Sequence, residues 1–222
     1  ALPIYVYISF RVWPRLLVTS PEKRCGKTTC LEIMESIGRR SLSASNITPA
    51  AMFRSINELS STILIDEADT FLKNNVELRG IINSGHIRRG AFVLRCEGDD
   101  HQTKRFSTWC PMAIFMIKMP AGTIVDRSVI IQLRRKLPNE TVQRLPTDLF
   151  ESGEAIRQQA ERWAQDHEET LKKADPVLPD CSSDRALDNW RPLFAIAETA
   201  GGDWPNLVRQ SFSALTETDN DD

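Results

Sequence analysis

Ser20-Pro-Glu-Lys-Arg-Cys-Gly-Lys-Thr-Thr29 is the stretch that decides the fold. Before it, Arg15 to Ser20 is a short apolar run ending at Pro21, which reads as a buried strand. After it, Thr28 to Arg40 reads as a helix. Leu31, Ile33, Met34 and Ile37 share one side, and Arg39-Arg40 sit in the last turn, where cations suit the helix dipole. A Gly-Lys-Thr turn between strand and helix is the setting of a phosphate-binding loop. Gly26 lets the backbone approach a phosphate, Lys27 reaches the outer phosphates as a point charge, and Thr28 supplies a hydroxyl for Mg²⁺. Amides of the loop and of the helix N-terminus form the anion nest. The expected nucleotide-binding residues are Glu22, Lys23, Arg24, Cys25, Gly26, Lys27, Thr28 and Thr29. The usual G-x-x-x-x-G-K-[ST] pattern opens with Gly, where this chain has Pro21. That change stiffens the loop entry and leaves the amides of 23–28 in place.

A second motif fits the first. Ile63-Leu-Ile-Asp-Glu-Ala-Asp69 is an apolar strand ending in two carboxylates. Asp66 is expected to hold Mg²⁺ through water, and Glu67 to polarise the water that attacks a terminal phosphate. Asp66-Glu-Ala-Asp69 also spells the box of a large RNA helicase class, and Gly85-His-Ile-Arg-Arg-Gly90 resembles that class's arginine motif. The spacing excludes it. Those enzymes carry the second motif on another motor domain, and the remaining residues are too few and too acidic and helical to build one.

Further strands and helices follow. Ser41 to Ser45 and Ser61 to Ile65 read as strands, Pro49 to Leu59 as a helix capped by Thr48, and Glu77 to Ser84 as a helix. Ala91 to Glu97 and Lys104 to Thr108 read as a hairpin turning at Gly98-Asp99-Asp100. Met112 to Met119 and Ser128 to Leu133 are apolar strands. Beyond Leu137, Glu151 to Lys173, Arg185 to Ala200 and Leu207 to Leu215 read as helices, with an acidic, frayed tail from Glu217 to Asp222. Alternation of strand and helix predicts an α/β P-loop NTPase fold of the AAA+-like, additional-strand class. Its expected parts are a three-layer core with a parallel sheet over residues 1–137, an inserted β-hairpin, and a C-terminal helical lid over 138–222.

The chain has 222 residues with 41% hydrophobic and 26% charged, an ordinary globular composition. Its formal net charge of -2 hides an asymmetry: residues 1–72 carry +1, 73–136 carry +7 and 137–222 carry -10. An anionic partner for the middle segment follows, and DNA backbone is the expected one. The residues expected to touch it are His86, Arg88, Arg89, Arg95, Lys104 and Arg105. No apolar run reaches the roughly 18 residues of a membrane span. Five cysteines without C-x-x-C spacing read as free thiols, which predicts a cytoplasmic setting.

Asp126-Arg127 before the strand at Ser128 resembles the arginine finger of ring-forming ATPases. On that reading Arg127 stands on the edge facing the nucleotide and acts on a neighbouring copy's terminal phosphate, which requires a homo-oligomeric ring. Lys118 is the only polar candidate for a sensor at the end of its strand. Arg185 and Arg191 are candidates for lid arginines, and Trp190 and Trp204 for core anchors.

Taken as a series, Ser20–Thr29, Ala44-Ser-Asn-Ile-Thr-Pro49, Leu64–Phe71, Asn83-Ser-Gly-His86, Phe106-Ser-Thr-Trp-Cys-Pro111, Asp126-Arg-Ser128 and Asp188-Asn-Trp-Arg-Pro-Leu193 carry a resemblance. The chain resembles an uncharacterised bacterial and phage P-loop ATPase domain of unknown function found in primase- or helicase-like proteins of mobile elements. The resemblance runs from about residue 14 to about 215. It implies an ATP- and Mg²⁺-dependent ATPase working with DNA replication or transfer machinery, within a ring or a larger primase/helicase polypeptide. Lys27, Glu67 and the metal ligands Thr28 and Asp66 match its chemistry. Two other functions stay open: an ATP-dependent regulatory or clamp module with little turnover, and a nucleotide-metabolising P-loop enzyme.

Overall fold

Leu17 and Val18 are adjacent, fully buried, and face opposite ways. Leu17 packs with Met52, Phe53, Ile56, Leu78, Ile81 and Ile82. Val18 packs with Leu31, Leu64, Ala113 and Phe115. A strand buried on both faces needs helices on both sides of its sheet. The computed structural model, which describes residues 2–97, 102–120 and 122–216, has this three-layer arrangement.

The strands are β1 (Arg15–Ser20), β2 (Ser41–Ala44), β3 (Thr62–Ile65), β4 (Phe92–Glu97), β5 (Gln102–Ser107), β6 (Met112–Ile117) and β7 (Ser128–Gln132). The helices are α1 (Leu2–Val6), α2 (Lys27–Ile37), α3 (Pro49–Leu59), α4 (Val76–Ser84), α5 (Leu149–Lys172), α6 (Asp184–Ala200) and α7 (Trp204–Thr216). Five strands make one sheet in the order β2-β3-β6-β1-β7, with every pair parallel. β6 therefore lies between β1 and β3. The remaining two strands, β4 and β5, pair antiparallel as a separate hairpin with Val93 opposite Phe106 and Arg95 opposite Lys104. Its turn at Gly98-Asp99-Asp100 and the tail Glu217 to Asp222 lie outside the described residues.

Local chemistry sets the boundaries. Thr48 Oγ1 accepts the Ala51 amide at 3.2 Å, with Pro49 at the first position of α3. Asn75 Oδ1 accepts the Leu78 amide at 2.9 Å to start α4. Ser183 Oγ accepts the Ala186 amide at 3.2 Å to start α6, which stops at Gly201. Each cap satisfies a helix-end amide that would otherwise lack a partner. α2 ends at Ile37, three residues short of the expected end at Arg40, because Gly38 leaves the helical conformation.

The C-terminal helices do not form the expected lid. α5 packs along α2 and α1. α6 and α7 close on the start of β7, where Val129, Trp190, Phe194 and Phe212 share a cluster. The N-terminal segment is mortar between the two parts. Tyr5, Val6, Tyr7 and Trp13 pack with Trp109, Ala160, Ala164, Leu171, Ala195 and Ile196. Trp190 is the expected core anchor, whereas Trp204 is 59% exposed at the first position of α7.

Arg15 is 1% exposed, and among the described residues no carboxylate pairs with it. Its Nε and Nη2 donate to the Ile82 carbonyl at 3.1 and 2.8 Å, and Nη1 donates to the Cys110 carbonyl at 2.7 Å. Ile82 lies in the last turn of α4, so this buried cation caps the negative end of a helix. Burial lowers the Arg15 pKa and raises that of the Cys110 thiol to about 11.

Candidate functional site

Parallel strands deliver their following loops to one edge, and the loops after β1, β3, β6 and β7 meet there around a cleft. Its volume is about 1010 Å³, and it is lined by 23–29, Asp66, Glu67, Asp69, Thr70, Ile117, Gln132, Leu133, Arg134, Lys136, Glu140 and Val142. Lys23 to Thr29 and the two carboxylates, 40 residues apart in sequence, thus share one wall-to-wall space. Glu22 stands beside it, paired with Arg135 at 3.3 Å.

The loop turns on left-handed backbone at Arg24 (φ 65°) and Gly26 (φ 89°). Only Gly takes that conformation without steric cost, and Gly26 opens α2 with it. The Lys27 ammonium reaches back across the loop, donating to Ser20 Oγ at 2.5 Å and toward the Glu22 carbonyl at 3.5 Å. Ser20 Oγ in turn donates to the Glu22 carbonyl at 2.7 Å. Cys25 is buried under the loop, whereas Thr28 and Thr29 are exposed.

Asp66 follows the fully buried β3, and its Oδ1 accepts the Glu67 amide at 2.9 Å. Glu67 is exposed, with φ 49°. Asp69 Oδ1 accepts the Ile117 amide at 3.1 Å, tying the end of β6 to the carboxylate loop. Lys118 is also left-handed (φ 62°), and its amide donates to the Ser20 carbonyl at 2.9 Å. Arg24, Glu67 and Lys118 are three of the five non-glycine residues with positive φ among the described residues; Arg24 and Glu67 line the cleft and Lys118 follows Ile117, which also lines it. Strained backbone of this kind gathers where a ligand must be approached closely.

The donor set suits a hard divalent cation. Thr28 and Asp66 offer oxygen ligands on the same cleft, and among the described residues no group of three or more His, Cys, Asp or Glu could hold a metal. Mg²⁺ needs no such group, since it keeps waters and takes phosphate oxygens.

Several expected residues lie elsewhere. Arg127 does not stand on the cleft edge. Ser128 pairs with Arg15, so Arg127 sits at the opposite, N-terminal edge of the sheet, where its Nη1 donates to the Thr123 carbonyl at 2.9 Å. Arg185 pairs with Asp126 at 2.9 Å and Arg191 with Asp175 at 2.7 Å, both away from the cleft. No residue of the described C-terminal helices lines it. Sequence reading missed Arg134, Lys136 and Glu140, which do. The basic run Arg134-Arg-Lys136 was the only signal for them.

The six expected DNA contacts also divide. His86 is buried, and its Nε2 bonds Asn189 Oδ1 at 2.7 Å, while Asn189 Nδ2 donates to the Asp126 carbonyl at 3.1 Å. It therefore joins the turn after α4 to α6 and is buried away from solvent. Arg95 pairs with Glu77 and lies over the Phe53 ring at 5.2 Å; Lys104 pairs with Glu97 at 2.7 Å. Both are on the hairpin face that packs on α3 through Phe53 and Phe106. The outer face holds Arg105, whose guanidinium stacks on Phe92 at 3.7 Å. Arg88 and Arg105 border one shallow depression there with Phe92 and Trp109, and Arg88 and Arg89 are exposed.

Burial holds the His86 imidazole below its ordinary pKa, and the charges of Arg15, Arg127 and Arg185 push the same way against the Asn189 hydrogen bond. The unfolded chain then binds a proton more readily than the folded one, so stability is full above about pH 6.5 and falls as pH drops toward the lowered value. Wild type should lose more melting temperature between about pH 7 and pH 5.5 than His86→Gln does. Parallel losses in thermal scans of the two would show that His86 carries none of it.

The comparisons with known proteins add two findings. Residues 132–222 match a family model described as "Protein of unknown function (DUF3631)". An uncharacterized 28.9 kDa protein in the xis 5′ region of Saccharopolyspora erythraea is 33% identical over 84 residues, which cover 36% of this chain and 30% of that protein. The match thus spans less than a third of the relative's length.

Proposed function

We propose that this chain is a Mg²⁺-dependent P-loop ATPase of the additional-strand, AAA+-like class, acting on DNA in the replication of a mobile element. The observation that carries the reading is the meeting, at one cleft, of the loop 20–28 and the Asp66-Glu67 pair. The strand order supports it too, because β6 separates the loop strand β1 from the carboxylate strand β3. The relative's place beside xis, a mobile-element gene, supports the setting.

On this reading the loop amides cradle the phosphates of ATP. Lys27 gives up Ser20 and the Glu22 carbonyl for phosphate oxygens, an exchange of neutral acceptors for charged ones. Thr28 and Asp66 would hold Mg²⁺, which would supply positive charge beside the phosphates. Glu67, exposed beside them, orients and deprotonates the attacking water. Arg127 serves only in trans, at a neighbouring copy's cleft, so full activity belongs to an oligomer. DNA contact falls to Arg105 on the outer hairpin face and to Arg88 and Arg89 in the turn before it, and the Arg105–Phe92 stack adds a flat surface for a base.

The test is ATP hydrolysis with and without single-stranded DNA. DNA should stimulate turnover, and Arg105→Ala should raise the DNA concentration needed for half-maximal stimulation several-fold. Nucleotide binding without turnover, unchanged by DNA, would sink the motor reading and leave a regulatory or clamp module.

A further inference from the structure

After β7 the chain does not enter a helix at once. Residues 133–142 cross beside the cleft, and Leu133, Arg134, Lys136, Glu140 and Val142 line it. Leu133 is held by its amide donating to the Thr19 carbonyl at 2.7 Å, and it packs on the Val18 and Leu31 cluster. Arg135 pins the crossing to the loop, through Glu22 at 3.3 Å and the Lys23 carbonyl at 3.5 Å. Arg134 makes a two-pronged pair with Glu140, Nη1 to Oε2 at 2.8 Å and Nη2 to Oε1 at 2.5 Å. Glu140 also accepts the Leu137 amide at 2.7 Å. Val142, an apolar side chain, is 61% exposed.

Sheet order says which end of a ligand this crossing meets. β1 lies between β6 and β7. Asp66 and Glu67 flank the loop from beyond β6, and the crossing flanks it from the β7 side. With a terminal phosphate at Lys27, Asp66 and Glu67, the side of the loop left for a nucleoside is the one that the crossing flanks. The cleft volume is at the upper end of ordinary ligand pockets, large enough for the whole nucleotide rather than its phosphates alone.

We propose that residues 133–142 form the wall against which the nucleoside end of the ligand lies. Leu133 and Val142 meet the base, and Arg134 leaves Glu140 for the phosphate nearest the ribose. This rests on the phosphate-loop reading above. Arg134 is exposed and Glu140 half-exposed, so the guanidinium is within reach of solvent, and a polyanion offers it more charge than the single carboxylate it leaves. Arg134 and the Leu137 amide hold Glu140 down to about 2, so it is charged at every working pH and the exchange is driven by the ligand and not by protonation.

Three Mg²⁺-loaded probes test this in calorimetric titrations: ATP, ADP and inorganic tripolyphosphate. Val142→Asn should weaken ATP and ADP several-fold and leave tripolyphosphate within about twofold, because it removes an apolar contact that only a base can make and adds no charge to the cleft. Arg134→Ala should weaken ATP and ADP alike, since both own the phosphate nearest the ribose. Glu140→Gln should tighten both by about fivefold, and the gain should vanish in the double variant. Equal losses for all three probes in Val142→Asn, or no loss for any, would overturn the wall. An Arg134→Ala effect confined to ATP would move that arginine to the terminal phosphate and overturn its assignment. Tight binding of all three by wild type, lost in Lys27→Ala, isolates a failure of the wall from a failure of the loop. A wild-type chain that binds none would remove the loop reading and the wall with it.

Discussion

Lys27→Ala should abolish turnover, lowering the ATP hydrolysis rate by at least about a hundredfold, the usual cost of losing one preorganised charge at a reacting phosphate. Lys27 begins α2, and its ammonium spans the loop to Ser20 and Glu22. A phosphate seated in the loop would occupy the space that the side chain now crosses. The other cations that line the cleft are placed differently: Lys23, Arg24 and Lys136 are exposed, and Arg134 is held by Glu140. The partner variant Glu67→Gln separates binding from chemistry. It keeps shape and removes the base, so ATP affinity should hold within a few-fold while turnover drops by about a hundredfold or more. Single-turnover kinetics beside a binding titration read both. Hydrolysis by Glu67→Gln at the wild-type rate would remove Glu67 from the mechanism.

The second large effect is on the fold. Arg15→Leu should lower stability by about 3 kcal/mol, because two carbonyls that accept from a buried guanidinium lose every partner. For a chain of this size that is roughly 6–12 °C of melting temperature. The site cannot relax easily. A methyl group at Gly85 would lie 2.0 Å from Arg15 Nη2 and 2.2 Å from the Thr108 carbonyl, so the guanidinium is enclosed by backbone on that side. Lysine should rescue little, since one ammonium cannot reproduce the planar fork that holds Ile82 and Cys110 together. A calorimetric melting temperature within about 2 °C of wild type would contradict the argument.

Much of this was legible in the chain itself. The buried strands are short apolar runs, and α3, α5, α6 and α7 begin or end within three residues of their expected bounds because capping and periodicity are local. The loop and the carboxylate pair were legible for the same reason: each motif is contiguous, and α/β connectivity brings both to one edge. What failed was non-local. Nothing near His86 announces Asn189, 103 residues away, which removes it from solvent. Arg95 and Lys104 alternate correctly on their strands, but which hairpin face meets α3 is settled by Phe53 and Phe106. Arg127 was placed on the wrong edge because the residue before a parallel strand and the residue after it lie at opposite ends of the sheet. The crossing at 133–142 has no periodicity, and its work is done by its position beside β1.

The left-handed residues Arg24, Glu67 and Lys118 stand at the ends of β1, β3 and β6, and each carries a side chain on a backbone that suits glycine. Random substitution to glycine or asparagine at these three positions would relax the chain, so the sequence has ready routes to a sturdier molecule. Every such route runs through the rim of the cleft. Selection for endurance and selection for turnover would pull these three positions in opposite directions, and a laboratory lineage evolved for heat alone should drift there first.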